Sequence, residues 1–382
     1  MPADGNLTNV WYICVIFDCC KQETIRMSFY TKITRPLLFL LPIEKVHNVA
    51  LWLLGVVGRG PVGQWLLKKL FAWRAPSLQR EVFGVKFPNP VGIAAGLDTN
   101  AKLYRQWGAL GYGFVEIGSL TPKPQVGAPK PRMFALPKDR AIVERMENPN
   151  CGLEKAIEHL RRRAYGQKVV VGANITAGNI TSPDKFTADY LRLFRNLYQY
   201  VEYFTVNVSV LVSDAERYSE VDKAKVREVL DALFDFRRGQ NQYRPILLKV
   251  SPDWSTEQID DMVDILIDTP LDGLVVAGGS TRLGGRMSER RLARMSGGLL
   301  SGAPLLERTV ELVDYVCRKM EYRYPVIAVG GVMKAEDVER LLAAGASLVQ
   351  CYSAVVYEGP GFAGRVCRRL SAKAATEEQA QA

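Results

Sequence analysis

Small and polar residues recur at the ends of short apolar runs along this chain. They are Ala95-Gly96, Glu116 with Ser119, Asn174, Asn207, Lys249, Gly330-Gly331 and Tyr352-Ser353, with Gly297-Gly298 in a loop between two runs. Such glycines let backbone N–H groups approach an anion closely, and a following helix N-terminus adds dipole attraction; the competing reading is plain turn glycines. Lys249 sits inside an apolar strand, where an unpaired charge is costly to bury. It calls either for an acidic neighbour such as Glu116 or for a ligand, for instance the electron-rich end of a flavin. One run breaks the pattern. Thr205–Asp214, TVNVSVLVSD, continues with Val210, Leu211 and Val212 where a polar strand end is expected.

The elements that must position these residues read as a parallel barrel. Apolar, β-branched runs fall at 90–96, 113–119, 168–175, 203–210, 245–251, 273–280, 325–331 and 347–353. Amphipathic helical segments fit between them at 99–109, 152–164, 183–199, 221–238, 255–268, 304–321 and 334–344, with a last one at 361–371. Strand–helix alternation of this kind predicts an α/β fold, a (β/α)8 TIM barrel over 80–370. Chemistry in such barrels sits at the C-terminal strand ends. The polar, Pro-rich stretch 120–150 reads as a loop over that face, and the apolar-poor tail 371–382 reads as disordered.

Residues 29–79 read as a separate helical hairpin. Its two blocks, 43–57 and 62–73, are split by Gly58-Arg59-Gly60-Pro61 and flanked by Lys68 and Lys69. Wide apolar faces with basic flanks suit a membrane surface; packing against the barrel explains them equally well. Residues 1–28 read as an extension. The first 25 hold one Lys against two Asp and one Glu, a poor secretory or transit signal. Neither Val10–Cys20 nor the run from Pro36 reaches the roughly 20 apolar residues of a spanning helix.

The chain has 382 residues, 48% of them hydrophobic, and a net charge of +10. That is ample for one large core. The charge is spread out with no aromatic-interleaved basic run, which argues against nucleic acid. Seven Cys without a CxxC pair read as reduced thiols. With only His47 and His159 available, a His-rich metal site is excluded, and the Cys spacing offers none.

From about Phe29 to Leu370 the chain resembles class 2 dihydroorotate dehydrogenases. The motifs are REVFGVKFPNPVGIAAGLD (80–98), GYGFVEIGSLTPKPQVGAPKPRMF (111–134), RPILLKVSPD (244–253), VIAVGGV (326–332), AGASLVQCYSAVVYEGP (344–360) and LPIEKVH (41–47). The resemblance implies FMN held by Ala95, Gly96, Ser119, Asn174, Asn207, Lys249, Gly298, Gly330, Gly331, Tyr352 and Ser353. It also implies a hairpin forming a quinone tunnel at a membrane, with His47 and Arg132 as its polar pair, and a peripheral place on the mitochondrial inner membrane. The loop GGLLSG is one residue longer than the family's GGLSG, which would shift phosphate-binding amides.

Against that family pattern the substrate positions depart. Val210 stands where the family's catalytic Ser belongs, and losing a positioned base costs roughly 10²–10⁴-fold. Val212 replaces a substrate Asn, Thr99 a Lys, Glu144 an Asn, Asn148-Pro149 a Phe-Asn, and Gly278 another Asn. The run TAGN (176–179) lacks two Lys. The expected function is a family member that has lost orotate chemistry and serves as a structural or accessory subunit of a mitochondrial inner-membrane assembly. The alternatives are an active FMN-dependent dihydroorotate dehydrogenase of pyrimidine biosynthesis, which needs another base such as Ser209 or Ser213, and an FMN oxidoreductase with a less anionic substrate.

Overall fold

The computed structural model describes residues 30–161, 169–208, 220–282 and 298–381. The extension 1–28, Gly297 and the Val210–Val212 run with Ser209 and Ser213 lie outside the described residues.

After a short helical entry at Tyr30–Leu38 come α1 (Ile43–Val57) and α2 (Pro61–Phe71). The break between them is tight: a Cβ on Gly63 would lie 1.7 Å from the Val57 carbonyl oxygen. Ile43 and Leu67 are buried toward the barrel, while Trp52, Val56, Val62 and Trp65 are exposed. Among the described residues no single helix is long and apolar enough to cross a membrane. Tyr30–Leu38 and Ile43–Val57 pass that test only as a pair, bent by 119°.

A hairpin of β1 (Arg80–Val82) and β2 (Val85–Phe87) leads into the barrel strands. These are β3 (Val91–Ile93), β4 (Phe114–Leu120), β7 (Val170–Ile175), β8 (Tyr203–Asn207), β9 (Ile246–Lys249), β10 (Gly273–Ala277), β12 (Val326–Val329) and β13 (Leu348–Cys351). They close in the order β10-β12-β13-β3-β4-β7-β8-β9, with every neighbouring pair parallel. The (β/α)8 expectation is met. Alternating large and small residues fill the interior. The Phe114 ring lies where a Cβ on Gly92 would sit, 2.4 Å from it, and the Tyr203 ring does the same at Gly172, 2.1 Å away. Phe87 from the hairpin packs edge-on against Phe114 and joins the same inner cluster.

The helices between the strands are α3 (Tyr104–Ala109), α4 (Gly152–Leu160), α5 (Phe186–Leu197), α6 (Glu220–Arg238), α7 (Thr256–Asp268), α8 (Leu306–Lys319) and α9 (Ala335–Ala343). A short α10 (Ser353–Glu358) and a long α11 (Phe362–Gln381) end the chain. Helix α7 starts on a capping box, with Ser255 Oγ accepting from the Gln258 N–H and Gln258 Oε1 accepting from the Ser255 N–H.

Two expectations need correction. The stretch 120–150 is more than a loop: β5 (Met133–Leu136) and β6 (Ala141–Glu144) pair antiparallel, and β11 (Leu299–Gly302) adds to β6. Leu136, Ala141, Val143, Leu300 and Leu305 give this small sheet its own core. The tail 371–382, expected to be disordered, continues α11 through Gln381. Its Ala, Glu, Gln and Lys residues are strong helix formers. The helix is also pinned early, by Trp73 Nε1 donating to Ser371 Oγ at 2.9 Å and by the Arg368 guanidinium over the Trp73 ring.

Candidate active site

The C-terminal strand ends open into one cavity of about 1510 Å³ that extends beneath α1. Ala95, Gly96, Ser119, Asn207 and Lys249 line it, as do Gly330, Gly331, Tyr352 and Ser353. His47 and Arg132 line its hairpin end. Asn174 stands one layer behind the wall, fully buried, and Gly298 is buried without lining the cavity.

Hydrogen bonds tie the floor together. Asn207 Nδ2 donates to Ser119 Oγ at 3.2 Å, and Ser119 Oγ donates to Asn174 Oδ1 at 2.5 Å. Asn174 Nδ2 then donates to Glu116 Oε1 at 2.8 Å. The other oxygen of Glu116 accepts from Gln350 Nε2 at 2.7 Å, Thr205 Oγ1 at 3.0 Å and the Tyr203 hydroxyl at 3.2 Å. Neutral donors therefore satisfy this fully buried carboxylate. The Glu116–Lys249 ion pair anticipated from sequence is absent among the described residues. Burial lowers the Lys249 pKa, and the charge of Glu116 opposes that only in part.

At the hairpin end, Glu44 is the residue that sequence reasoning missed. Its Oε2 accepts from the Arg132 backbone N–H at 3.0 Å, and its Oε1 lies 3.8 Å from Arg132 Nε. The signal was available, since Glu44 and His47 are three apart and share a face of α1. Burial lowers the His47 pKa, with Glu44 opposing, so the imidazole is held toward its neutral form.

The altered substrate positions converge on this cavity. Thr99, Glu144, Asn148, Pro149, Gly278, Thr176 and Asn179 all line it. Glu144, the last residue of β6, accepts a hydrogen bond from the Tyr352 hydroxyl at 2.7 Å through Oε2. Burial pushes its carboxyl up to about 7, the Tyr352 bond pulling the other way. Asp98, also in the wall, is pushed by burial to about 6 despite accepting from the Lys102 and Leu103 N–H groups at 2.8 Å each. Ser353 Oγ donates to Ser301 Oγ at 2.9 Å, beside Gly330 and Gly331 with φ of +133° and +79°.

The chain matches the family model described as dihydroorotate dehydrogenase over residues 77–373. The chain belongs to the dihydroorotate dehydrogenase family. It is 37% identical to the "Dihydroorotate dehydrogenase (quinone)" of Christiangramia forsetii over 344 residues, 90% of this chain and 99% of that one. It is also 37% identical to the protein of the same name from Kineococcus radiotolerans over 354 residues, 91% and 96% of the two chains. Among solved structures it resembles DHODH of Eimeria tenella in complex with ferulenol, with a TM-score of 0.71 and 26% identity, covering 86% of this chain and 90% of that one.

Dihydroorotate dehydrogenases of this family are FMN proteins, and the cavity wall fits that group. Among the described residues Lys249 has no ion-pair partner and Gln350 Oε1 is buried without a hydrogen bond, and Gly96, Gly278, Gly330 and Gly331 all take positive φ along the wall. Lys249, Asn207 and Ser119 would hold the ring system, and Gly330, Gly331 and Ser353 the phosphate. Bound there, FMN would supply two-electron redox chemistry.

Proposed function

We propose that this protein is a membrane-peripheral, FMN-holding member of the family that no longer oxidises dihydroorotate and works as an accessory subunit of an assembly at the mitochondrial inner membrane. One observation carries the reading: the altered positions Thr99, Glu144, Asn148 and Gly278 lie in the wall of the same cavity as Lys249. Each lost polar partner costs a ligand about 1–3 kcal/mol. Glu144 adds a carboxyl where an anionic ligand would have to sit. Val210 offers no proton acceptor at the family's base position.

The membrane half of the reading rests on the hairpin. Trp52 and Trp65 are exposed by 64% and 59%, Val62 by 77%, and Lys68 and Lys69 close α2 on the same segment. An apolar face of this kind with basic flanks partitions into a lipid headgroup region.

The names of the curated relatives, matched over nearly their whole length, favour a second reading, an active quinone-linked dihydroorotate dehydrogenase with Ser209 or Ser213 as base. A single assay separates the two. Purified protein reconstituted with FMN is given dihydroorotate and a short-chain quinone, and orotate formation is followed. The proposed function expects a rate lower by roughly 10²–10⁴-fold than that of a relative with the base in place; a comparable rate would overturn it.

A further inference from the structure

The last four carbonyls of a helix have no partner inside it, and a helix of under two turns does not hold itself together in water. Helix α10, Ser353–Glu358, is of this kind, about 9 Å long. Each of its end carbonyls nonetheless has a donor. The Val355 oxygen accepts from the Gly359 N–H at 3.2 Å, and the Glu358 oxygen from Arg365 Nη2 at 3.0 Å. The two between them are taken by the entry segment ahead of the hairpin. The Tyr30 hydroxyl donates to the Val356 oxygen at 2.7 Å, and Arg35 Nη1 donates to the Tyr357 oxygen at 3.0 Å.

The rings around these bonds fit closely. Gly359 has φ of +77°, and a Cβ there would lie 2.9 Å from Cδ1 of Tyr30. Phe39 meets the Tyr357 ring edge-on at 5.3 Å between centroids, and the Arg35 guanidinium lies over the same ring at 5.9 Å. The Tyr357 hydroxyl donates onward to the Ala141 oxygen of β6 at 2.8 Å. At the other end of α10 stands Ser353, one turn before Tyr357, in the cavity wall beside Gly330 and Gly331. So short a helix moves as one piece, and a tilt at Tyr357 displaces Ser353. A binding group works only when held to about 0.5 Å by what supports it.

We propose that Arg35 and Tyr30 are positioning residues for the phosphate end of the flavin site. They strap α10 by its last carbonyls and so set where Ser353 stands. This rests on the reading that FMN is held in the cavity, and it adds a dependence of that site on a segment outside the barrel.

The test uses the full chain freed of flavin and two probes, FMN and riboflavin, which differ only in the phosphate. Affinities are read from the change in flavin fluorescence on binding. Wild type should prefer FMN by well over about tenfold, since charge-assisted hydrogen bonds to the phosphate add to the ring contacts. Arg35→Ala should weaken FMN by about tenfold and riboflavin by less than about twofold, so that the preference itself falls. Tyr30→Phe removes one hydroxyl and should lower the preference by about threefold. Leu37→Ser, on the same segment with its side chain exposed, should leave both affinities unchanged. Thermal melts of the flavin-free proteins establish that each variant is folded, and Tyr30→Phe, which loses a single oxygen, decides the matter where Arg35→Ala does not fold.

Equal losses for FMN and riboflavin would mean that the segment supports the barrel in general, and would overturn the proposal. The same fall in Leu37→Ser would overturn it too. A wild type that prefers FMN, with both strap variants matching it, would remove this inference alone. A wild type that binds neither flavin, or both equally, would remove the FMN reading of the phosphate site and this inference with it.

Discussion

Gln350 Nε2 donates to Glu116 Oε2 at 2.7 Å, joining the last barrel strand to the second across the intervening β3. Both side chains are fully buried, and Glu116 also gathers donors from β7 and β8. A single carboxylate thus fixes the side chains that set the cavity floor.

Glu116→Gln should destabilise the fold by about 1–3 kcal/mol, because its amide would turn a donor toward a buried donor whichever way it flips. Urea unfolding measures this. A midpoint unchanged from wild type would show that the four hydrogen bonds do not matter to stability.

Glu144 should make stability fall as pH rises. Its folded pKa of about 7 lies above the ordinary 4.5, so the folded state holds the proton more tightly. The resulting stabilisation is complete below pH 4.5 and is lost on passing through about pH 7. Wild type relative to Glu144→Gln should therefore lose on the order of 2–3 kcal/mol between pH 4.5 and pH 8. Parallel stability curves for the two proteins across that window would contradict this.

Gly331→Ala should fold poorly. Gly331 has φ of +79°, and an added Cβ would lie 2.3 Å from the backbone N and Cα of Leu306, which begins α8. Neither backbone can yield cheaply, so a loss of several kcal/mol follows. A lower melting temperature is the expected readout, and a wild-type melt would rule the clash out.

On the proposed membrane reading, the double variant Trp52→Glu, Trp65→Glu should weaken binding to vesicles containing anionic lipid by about tenfold or more, since two exposed indoles become charges. Barrel stability should not change, because both side chains face outward. Co-sedimentation undiminished by the substitutions would remove this hairpin face from the membrane reading.

Phe204→Ala should cost about 3–5 kcal/mol. The ring is fully buried, 4.4 Å centroid to centroid from Phe194 and stacked on Tyr198. Chemical denaturation gives the value, and a cost under 1 kcal/mol would mean that the barrel wall collapses around the gap.

The chain by itself determined the barrel, the hairpin and where along each strand the polar residues fall. Those follow from local period and turn chemistry: apolar runs such as Val170–Ile175 are long enough to fix a buried strand, and Gly58-Arg59-Gly60-Pro61 breaks a helix wherever it is placed. Glu144 was legible as an anomaly, a carboxyl standing where the family resemblance implies an amide. Its partner was not legible. The bond to Tyr352 depends on β6 pairing with β11 from the far side of the chain, and no local period encodes such a pairing. Asn174 and Lys249 read alike in sequence, each a lone polar residue in an apolar strand. Tertiary structure separated them, turning Asn174 inward to Glu116 and leaving Lys249 open to the cavity, because only the closed barrel decides which strand end meets a neighbour and which meets a ligand.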